Sequence, residues 1–284
     1  NGSNGMRING FGSFTLTGES VSNAGDVNGD DIHDLIIGAP YLEVSDPAGV
    51  GSSDLIGGAF VVYGSKAPLS ASLDLMSMSA TQGTKITGVY ASGQDRTGGV
   101  VAGGGDVNGD GYDDVIIGVM RPTSPAVPDQ PARAYLVYGS ADGLGEVLRL
   151  EDLDGSNGTA FNLDFPGPDH YASGTGSVAI VDDINNDRLA DIVIGTRTTT
   201  TYSPEGNPTQ VNNGKVFVLY GSKQGLAATV NLDNISPREG FIVISPDGSG
   251  FGGEVASAGD INGDGGTDIL LGRTDAPSVA LFGE

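Results

Sequence analysis

The stretch GDVNGDGYDDVIIG, from Gly105 to Gly118, sets an acidic loop directly against an apolar run that is typical of a β-strand. Three related stretches occur in the chain: GDVNGDDIHDLIIG at Gly25–Gly38, DDINNDRLADIVIG at Asp182–Gly195 and GDINGDGGTDILLG at Gly259–Gly272. The first aspartates of the four stretches are Asp26, Asp106, Asp183 and Asp260. They are separated by 80, 77 and 77 residues. Four copies at a nearly constant period indicate a repeat protein.

Each repeat contains four short segments that are typical of β-strands. One apolar segment comes well before the acidic loop (residues 5–10, 83–88, 158–164 and 240–245), and an alternating segment leads into the loop. The loop is followed by DLIIG, DVIIG, DIVIG or DILLG, and then by a segment such as AFVVYG or VFVLYG. Short β-branched runs bounded by glycine favour strands over helices. Four-stranded up-and-down repeats that bury both faces by stacking are β-propeller blades.

The repeat boundaries predict an all-β chain that forms a single β-propeller domain over residues 1–284. The repeats run approximately over residues 1–78, 79–153, 154–235 and 236–284. The last repeat lacks an outermost strand and residues 5–10 are a spare one, so we expect residues 5–10 to complete the last blade. This pairing would close a four-bladed ring and leave no long sheet edge exposed. The alternatives are an arc of a larger propeller of the seven-bladed type and a half-ring completed by a second chain.

Composition excludes several classes of protein. The chain has 13 Lys and Arg against 36 Asp and Glu, and a net charge of −23 repels nucleic acid and anionic lipid. No apolar run approaches the roughly 20 residues that cross a bilayer, so no membrane insertion is expected. The absence of cysteine excludes a disulfide framework and a thiolate metal site. The opening NGSNGMRING resembles a cut inside a repeat.

The acidic loops share the spacing D-x-N-x-D-x-x-x-D, which predicts a metal site in each. Side chains at positions one, three, five and nine, with the backbone carbonyl at position seven, would supply five to seven hard oxygen ligands, a set that suits Ca²⁺. Nitrogen and sulfur ligands of the kind that zinc prefers are missing. The sequence therefore predicts up to four Ca²⁺ ions, bound by Asp26, Asn28, Asp30, Ile32 and Asp34; by Asp106, Asn108, Asp110, Tyr112 and Asp114; by Asp183, Asn185, Asp187, Leu189 and Asp191; and by Asp260, Asn262, Asp264, Gly266 and Asp268.

The four loops differ at position six. The second and fourth loops have Gly111 and Gly265 there, and glycine adopts a left-handed conformation easily. The first loop has Asp31 and the third has Arg188, which also brings a positive charge near the ion. We therefore expect the third site to bind calcium most weakly.

The combined motif resembles the FG-GAP repeats of the integrin α-subunit propeller and of large bacterial surface and secreted proteins. GSGFGGEVASAGDINGDGGTDILLG (Gly248–Gly272) contains FG before the acidic loop, and DLIIGAP (Asp34–Pro40) contains GAP. The other repeats keep neither element in full, and integrin propellers have seven blades where this chain supplies four. The resemblance implies an extracellular or cell-surface module for adhesion or ligand recognition, with calcium as a structural ion.

We expect the module to be non-enzymatic, since the chain has no cysteine nucleophile, no G-x-S-x-G and no H-E-x-x-H. The alternatives are a structural spacer in a repetitive surface protein and a carbohydrate-binding or hydrolase-associated propeller. Because hairpin loops alternate between the two faces of a propeller, a protein or glycan partner is expected on the face opposite the calcium loops. The aromatic and cationic residues expected there are Tyr90, Arg96, Arg121, His170, Tyr171, Arg197 and Tyr202.

Overall fold

A computed structural model of the chain describes residues 4–10, 15–45, 53–89, 96–120, 132–163, 174–196, 199–202, 208–212, 214–244, 251–273 and 277–283. Within these residues the structure is built from β-strands and three single turns of 3-10 helix, at Leu75–Ser77, Leu150–Asp152 and Leu232–Asn234. No helix of the described residues is long and apolar enough to cross a membrane. The prediction of an all-β chain is confirmed.

The strands alternate with loops through the described residues. They are, in chain order, β1 (Arg7–Asn9), β2 (Val21–Gly25), β3 (Asp34–Gly38), β4 (Glu43–Ser45), β5 (Ser53–Leu55), β6 (Gly58–Val62), β7 (Ser72–Asp74), β8 (Gly83–Thr87), β9 (Thr97–Gly105), β10 (Asp114–Val119), β11 (Ala132–Val137), β12 (Val147–Arg149), β13 (Gly158–Leu163), β14 (Thr175–Val181), β15 (Asp191–Thr196), β16 (Thr199–Tyr202), β17 (Pro208–Asn212), β18 (Lys215–Leu219), β19 (Thr229–Asn231), β20 (Gly240–Ile244), β21 (Phe251–Gly259), β22 (Asp268–Arg273) and β23 (Val279–Leu281).

Four antiparallel sheets correspond to the four predicted repeats, and we call them blades 1 to 4. Blade 1 has the strand order β2-β3-β6-β8, blade 2 has β9-β10-β11-β13, blade 3 has β14-β15-β18-β20, and blade 4 has β21-β22-β23. The innermost strands β2, β9, β14 and β21 pack against one another in that order. The blades therefore stand side by side in chain order. Two separate hairpins, β4-β5 and β16-β17, lie in the long connections of blades 1 and 3.

The outer edge of the blades carries a feature that the sequence prediction missed. The outermost strands β8 and β13 each pair in parallel with a short strand that follows the third strand of the next blade, β12 and β19 respectively. A turn of 3-10 helix follows each of these short strands, and it buries Leu150 or Leu232. The repeated segments SLDL, VLRL and TVNL are the sequence signal of this strand and turn.

The pairing of β1 gives this strand a partner that the sequence analysis did not expect. Arg7–Asn9 pairs in parallel with Ser72–Asp74, and not with Val279–Leu281 of blade 4 as the sequence analysis expected. This is the outer-edge arrangement just described: β1 takes beside β7 the place that β8 takes beside β12, and β8 pairs through its other edge with β6. Within the described residues β1 does not pair with blade 4, so the expected ring closure is not shown.

The core lies between the blades. Ile36 and Val61 of blade 1 pack against Val115 and Tyr135 of blade 2 in one apolar cluster. A second cluster joins blades 2 and 3 through Ile116, Phe161, Ile192 and Phe217, and a third joins blades 3 and 4 through Val193, Val218, Ile269 and Leu271. Strands β10 and β15, which follow the acidic loops of blades 2 and 3, thus contribute alternate side chains to two neighbouring clusters, which is why the sequence there is apolar on both faces.

Candidate metal loops

All four acidic loops lie at the same edge of the stacked blades. Each joins the first two strands of its blade, and in blades 1 to 3 the first aspartate of the loop accepts a backbone hydrogen bond from the next blade. The N–H groups of Asp113, Ala190 and Thr267 donate to the carbonyls of Asp26, Asp106 and Asp183, at 3.0, 3.0 and 3.1 Å. The loops are therefore built into the joints between blades.

Within the second loop, three polar side chains converge on the loop's own backbone. The Asp106 Oδ1 atom accepts from the N–H groups of Gly109 and Asp110, and Oδ2 accepts from Gly111. The Asn108 Oδ1 atom accepts from the same Asp110 N–H at 3.0 Å. The Asp110 carboxylate accepts from the Tyr112 N–H and from the Asn108 side-chain amide. Positions one, three and five thus bring their oxygen atoms to one side of a tight turn.

The other loops share the central part of this arrangement. Each position-one carboxylate accepts from the N–H groups of positions five and six, each position-three amide oxygen from position five, and each position-five carboxylate from position seven. The carboxylates and amides concerned are Asp26, Asn28 and Asp30; Asp183, Asn185 and Asp187; and Asp260, Asn262 and Asp264.

The closing aspartate of each loop has a second role that sequence reasoning missed. Asp114 is fully buried, and its two carboxylate oxygens accept from the N–H groups of Val107 and Gly139, at 2.8 and 2.9 Å. Asp34, Asp191 and Asp268 are equally buried and accept the same two bonds. Each closing aspartate therefore fastens its loop to the turn that follows the third strand. The glycine after the tyrosine or phenylalanine in YGS and LFG is the signal that could have revealed this partner.

Burial disfavours the charged form of three of these closing carboxylates and raises their pKa values. It raises the pKa of Asp34 to about 6 and the pKa of Asp191 to about 7, and it raises the pKa of Asp114 well above its ordinary value. The two N–H donors lower each pKa, and the carboxylates at positions one and five raise it again. The three carboxylates of each of these loops are therefore close enough to repel one another.

The carboxylate and amide oxygens of the loops are of the type that calcium ions prefer as ligands. Among the residues that the structure describes, no three histidine, cysteine, aspartate or glutamate side chains are gathered as a metal-binding group. Position three is asparagine in every loop, and the closing carboxylate of the second loop accepts hydrogen bonds from backbone N–H groups. A carboxylate nevertheless has about four lone-pair sites, so two N–H bonds leave acceptor capacity for a cation.

Positions four and six of every loop have a left-handed backbone. Position six has φ angles of +93° at Gly111 and +96° at Gly265, but the same conformation is adopted by Asp31 at +63° and Arg188 at +72°. Position four of the third loop is Asn186, at +61°. The sequence differences between the loops at positions four and six therefore give differences in backbone strain, because residues with a Cβ atom disfavour the left-handed region.

We predict that Arg188→Gly stabilises the protein by about 0.5–1 kcal/mol. The left-handed conformation costs a residue with a Cβ atom about 1–2 kcal/mol, and this gain exceeds the roughly 0.4–1 kcal/mol of unfolded-state entropy that a new glycine adds. Urea unfolding measures the change. Asn186→Gly is the matched control and should gain less, because asparagine tolerates this region better. A lower unfolding free energy for Arg188→Gly would contradict the explanation.

The residues expected on the opposite face are described only in part. Tyr90, Arg121, His170, Tyr171 and Arg197 lie outside the described residues, and Tyr202 is described only as part of β16. The Arg96 guanidinium lies over the ring of Tyr41, 5.2 Å from its centroid. Arg96 immediately precedes β9, at the end of that strand opposite the acidic loop. One cation and one aromatic ring are therefore paired at the edge away from the acidic loops.

Comparison with known protein families supports the repeat that the acidic loops define. The family model of the FG-GAP repeat matches residues 17–56 and 97–138, which contain the acidic loops of blades 1 and 2. These two segments thus match the FG-GAP repeat, and the resemblance drawn from the acidic loops is confirmed.

This chain is similar to curated proteins of at least two kinds. The chain is 28% identical over 172 residues to the phosphatidylinositol-glycan-specific phospholipase D of Bos taurus, and 27% identical over 179 residues to integrin alpha-IIb of Mus musculus. It is 27% identical over 261 residues to integrin alpha pat-2 of Caenorhabditis elegans. These alignments cover 61%, 62% and 91% of this chain, but only 18%, 15% and 18% of the relatives. The chain therefore matches less than a fifth of each relative.

Proposed function

We propose that the chain is a calcium-stabilised extracellular recognition module, without enzyme activity, that binds a protein or a glycan on the face opposite the acidic loops. The similarity to integrin α-subunits supports recognition and an extracellular setting. The similarity to the phospholipase D does not by itself bring that enzyme's activity to this chain, because the aligned part covers 18% of the enzyme and a similar share of this chain also aligns with integrin alpha-IIb.

One observation carries the calcium part of the proposal: all four loops repeat the same converging oxygens beside a buried closing aspartate. In three loops the closing carboxylate has a raised pKa, to which the neighbouring carboxylates contribute. Positions one, three, five and nine would hold the ion, with the carbonyl at position seven. A bound divalent cation would offset the repulsion among these carboxylates. Four ions would change the net charge from −23 to −15.

Calcium titration into chelator-treated protein tests this part of the proposal. Isothermal titration calorimetry should show up to four ions per chain. At 100 times its dissociation constant, each filled site stabilises the fold by about 2.7 kcal/mol, which corresponds to a rise in Tm of roughly 5–10 °C per site. Asp110→Ala should lose one site and keep the others. Identical melting curves in calcium and in chelator would show that the proposal is wrong.

Binding to a glycan microarray and to immobilised surface proteins tests the recognition part. Arg96→Ala should reduce binding, because this variant removes the cation that is stacked on Tyr41. His33→Ala, on an exposed residue of the first acidic loop, is the matched control and should bind as the wild type does. Loss of binding in His33→Ala with full binding in Arg96→Ala would place the partner on the acidic-loop face instead.

A further inference from the structure

Three of the four acidic loops have an asparagine followed by a glycine at positions three and four. The pairs are Asn28-Gly29, Asn108-Gly109 and Asn262-Gly263. Glycine has no Cβ atom, so nothing keeps the asparagine side chain away from the main-chain nitrogen of the next residue. The proposed calcium site uses only the side-chain oxygen of each asparagine, and the amide nitrogen has no part in it.

The reaction open to such a pair is deamidation through a cyclic imide. The glycine main-chain nitrogen attacks the asparagine Cγ atom, a new N–Cγ bond forms and the Cγ–Nδ2 bond breaks. The side-chain nitrogen leaves as ammonia, with the proton that the glycine nitrogen gives up. Solvent water then opens the imide at either of its carbonyls, which yields aspartate or isoaspartate. Before it reacts, the asparagine side chain must break its hydrogen bonds in the loop and turn toward the glycine nitrogen.

The first loop holds its Asn-Gly pair by a single hydrogen bond. The Asn28 Oδ1 atom accepts from the Asp30 N–H at 3.1 Å. Within the described residues, the Asn28 side-chain amide and the Gly29 N–H donate no hydrogen bond, because the other bonds of this loop start from Asp30 and the residues after it. The amide that leaves and the nitrogen that attacks are therefore both free.

The second loop holds the same pair by three hydrogen bonds. The Asn108 side chain accepts from the Asp110 N–H at 3.0 Å and donates to the Asp110 carboxylate at 2.9 Å. The Gly109 N–H donates to the Asp106 carboxylate at 2.6 Å, so the attacking nitrogen is engaged as well. A carboxylate beside that nitrogen also opposes the negative charge that develops when the nitrogen loses its proton. The fourth loop makes the same three bonds.

The residue at position six distinguishes the two arrangements. Gly111 and Gly265 have φ angles of +93° and +96°, and in their loops the position-four N–H reaches the position-one carboxylate. Asp31 has a φ angle of +63°, and in the described first loop this bond is not formed. The third loop has Arg188 at position six, but its asparagine is followed by Asn186 and not by glycine. Only the first loop combines an Asn-Gly pair with a free glycine N–H.

We propose that Asn28 is a site of spontaneous covalent modification, and that in the calcium-free protein it deamidates before Asn108 and Asn262. Two fewer hydrogen bonds have to break at Asn28, which corresponds to a rate that is at least about fivefold higher. Exposure alone would favour Asn262, which is exposed where Asn28 is half-buried. The reaction needs no bound ion and no partner, so it is independent of the proposed function.

Modification at Asn28 would act on the joint between blades 1 and 2. Aspartate and isoaspartate both add a negative charge to a loop that already has carboxylates at positions one and five. Isoaspartate also places an extra carbon in the main chain directly before Gly29. There is little room for this change, because a Cβ atom at Gly29 would collide with the Tyr112 ring of blade 2. The product with isoaspartate therefore weakens the contact between the two blades.

Timed incubation of the wild-type chain in chelator tests the order of reaction. Peptide mass mapping follows the replacement of the amide by a hydroxyl group at each asparagine, and Asn28 should react at least about fivefold faster than Asn108 or Asn262. Incubation in urea is the control, because the unfolded sequences VNGDD, VNGDG and INGDG are nearly alike and should react at similar rates. Equal rates in the folded chain, or a faster reaction at Asn108 or Asn262, would overturn the proposal.

Exchange of the position-six residues tests the cause of this order. Asp31→Gly gives the first loop the glycine of the second and fourth loops, and it should slow deamidation of Asn28. Gly111→Asp makes the reverse change and should speed deamidation of Asn108. Asn262 is the internal control in both variants, and urea unfolding in chelator verifies that each variant is folded under the conditions of incubation. If both exchanges leave the rates at Asn28 and Asn108 unchanged relative to Asn262, the hydrogen bonds of the loop do not set the order and the proposal fails.

Discussion

Asp114→Ala is expected to lower the free energy of unfolding by about 2–6 kcal/mol. The Asp114 carboxylate is fully buried and accepts from the N–H groups of Val107 and Gly139. The alanine variant leaves both donors buried without a partner, and each such donor costs about 1–3 kcal/mol. This loss is a large part of the roughly 5–15 kcal/mol by which proteins are stable.

Urea unfolding in chelator measures this effect separately from any loss of calcium. Asp110→Ala is the matched control, because Asp110 is exposed and its carboxylate bonds stay within the loop. Asp114→Asn should fall between the two, since the amide keeps one acceptor oxygen but turns an N–H group toward a second donor. Equal unfolding free energies for Asp114→Ala and Asp110→Ala would contradict the fastening role of the closing aspartate.

Gly98→Ala is expected to destabilise the protein by more than about 3 kcal/mol, or to prevent folding. Gly98 has a φ angle of +84° and lies where β9 passes against blade 1. A Cβ atom there would lie well inside 3.0 Å of the Gly58 carbonyl and 3.2 Å from the Ala39 nitrogen. Both are backbone atoms, so relief of the clash requires the two blades to separate, in addition to the cost of about 1–2 kcal/mol for the left-handed backbone.

Gly104→Ala, in the same strand, isolates the steric part of this prediction. Gly104 has a φ angle of +94°, and the nearest atom to an added Cβ is the Asn23 side-chain nitrogen at 3.4 Å. We expect Gly104→Ala to be destabilised only by the conformational cost of a residue with a Cβ atom at a left-handed position. Thermal unfolding of both variants gives the comparison. Similar Tm values for the two would mean that backbone strain alone, and not the contact between blades, sets the requirement for glycine.

The sequence predicts those parts of this fold that are encoded locally and repeated. The acidic spacing and the apolar run after it locate β3, β10, β15 and β22, and the glycines at position six anticipate the left-handed backbone that Asp31 and Arg188 also adopt. The second role of Asp114 could not be read in this way, because its partner Gly139 is 25 residues away. The pairing of β1 with β7 was missed for a similar reason, because the paired residues Arg7 and Ser72 are far apart in the sequence.

Contacts along the stack run from each blade to the next, and this has a consequence for how the protein opens. In such a linear arrangement, stability is a sum of terms for single units and for neighbouring pairs. Strand β14 is buried along its whole length between two neighbours, while β21 is exposed at Glu254 and Ala256. Amide hydrogens should therefore exchange first in blade 4 and last in blades 2 and 3. Local opening should begin at an end and move inward, so the molecule can lose one blade without losing its order elsewhere.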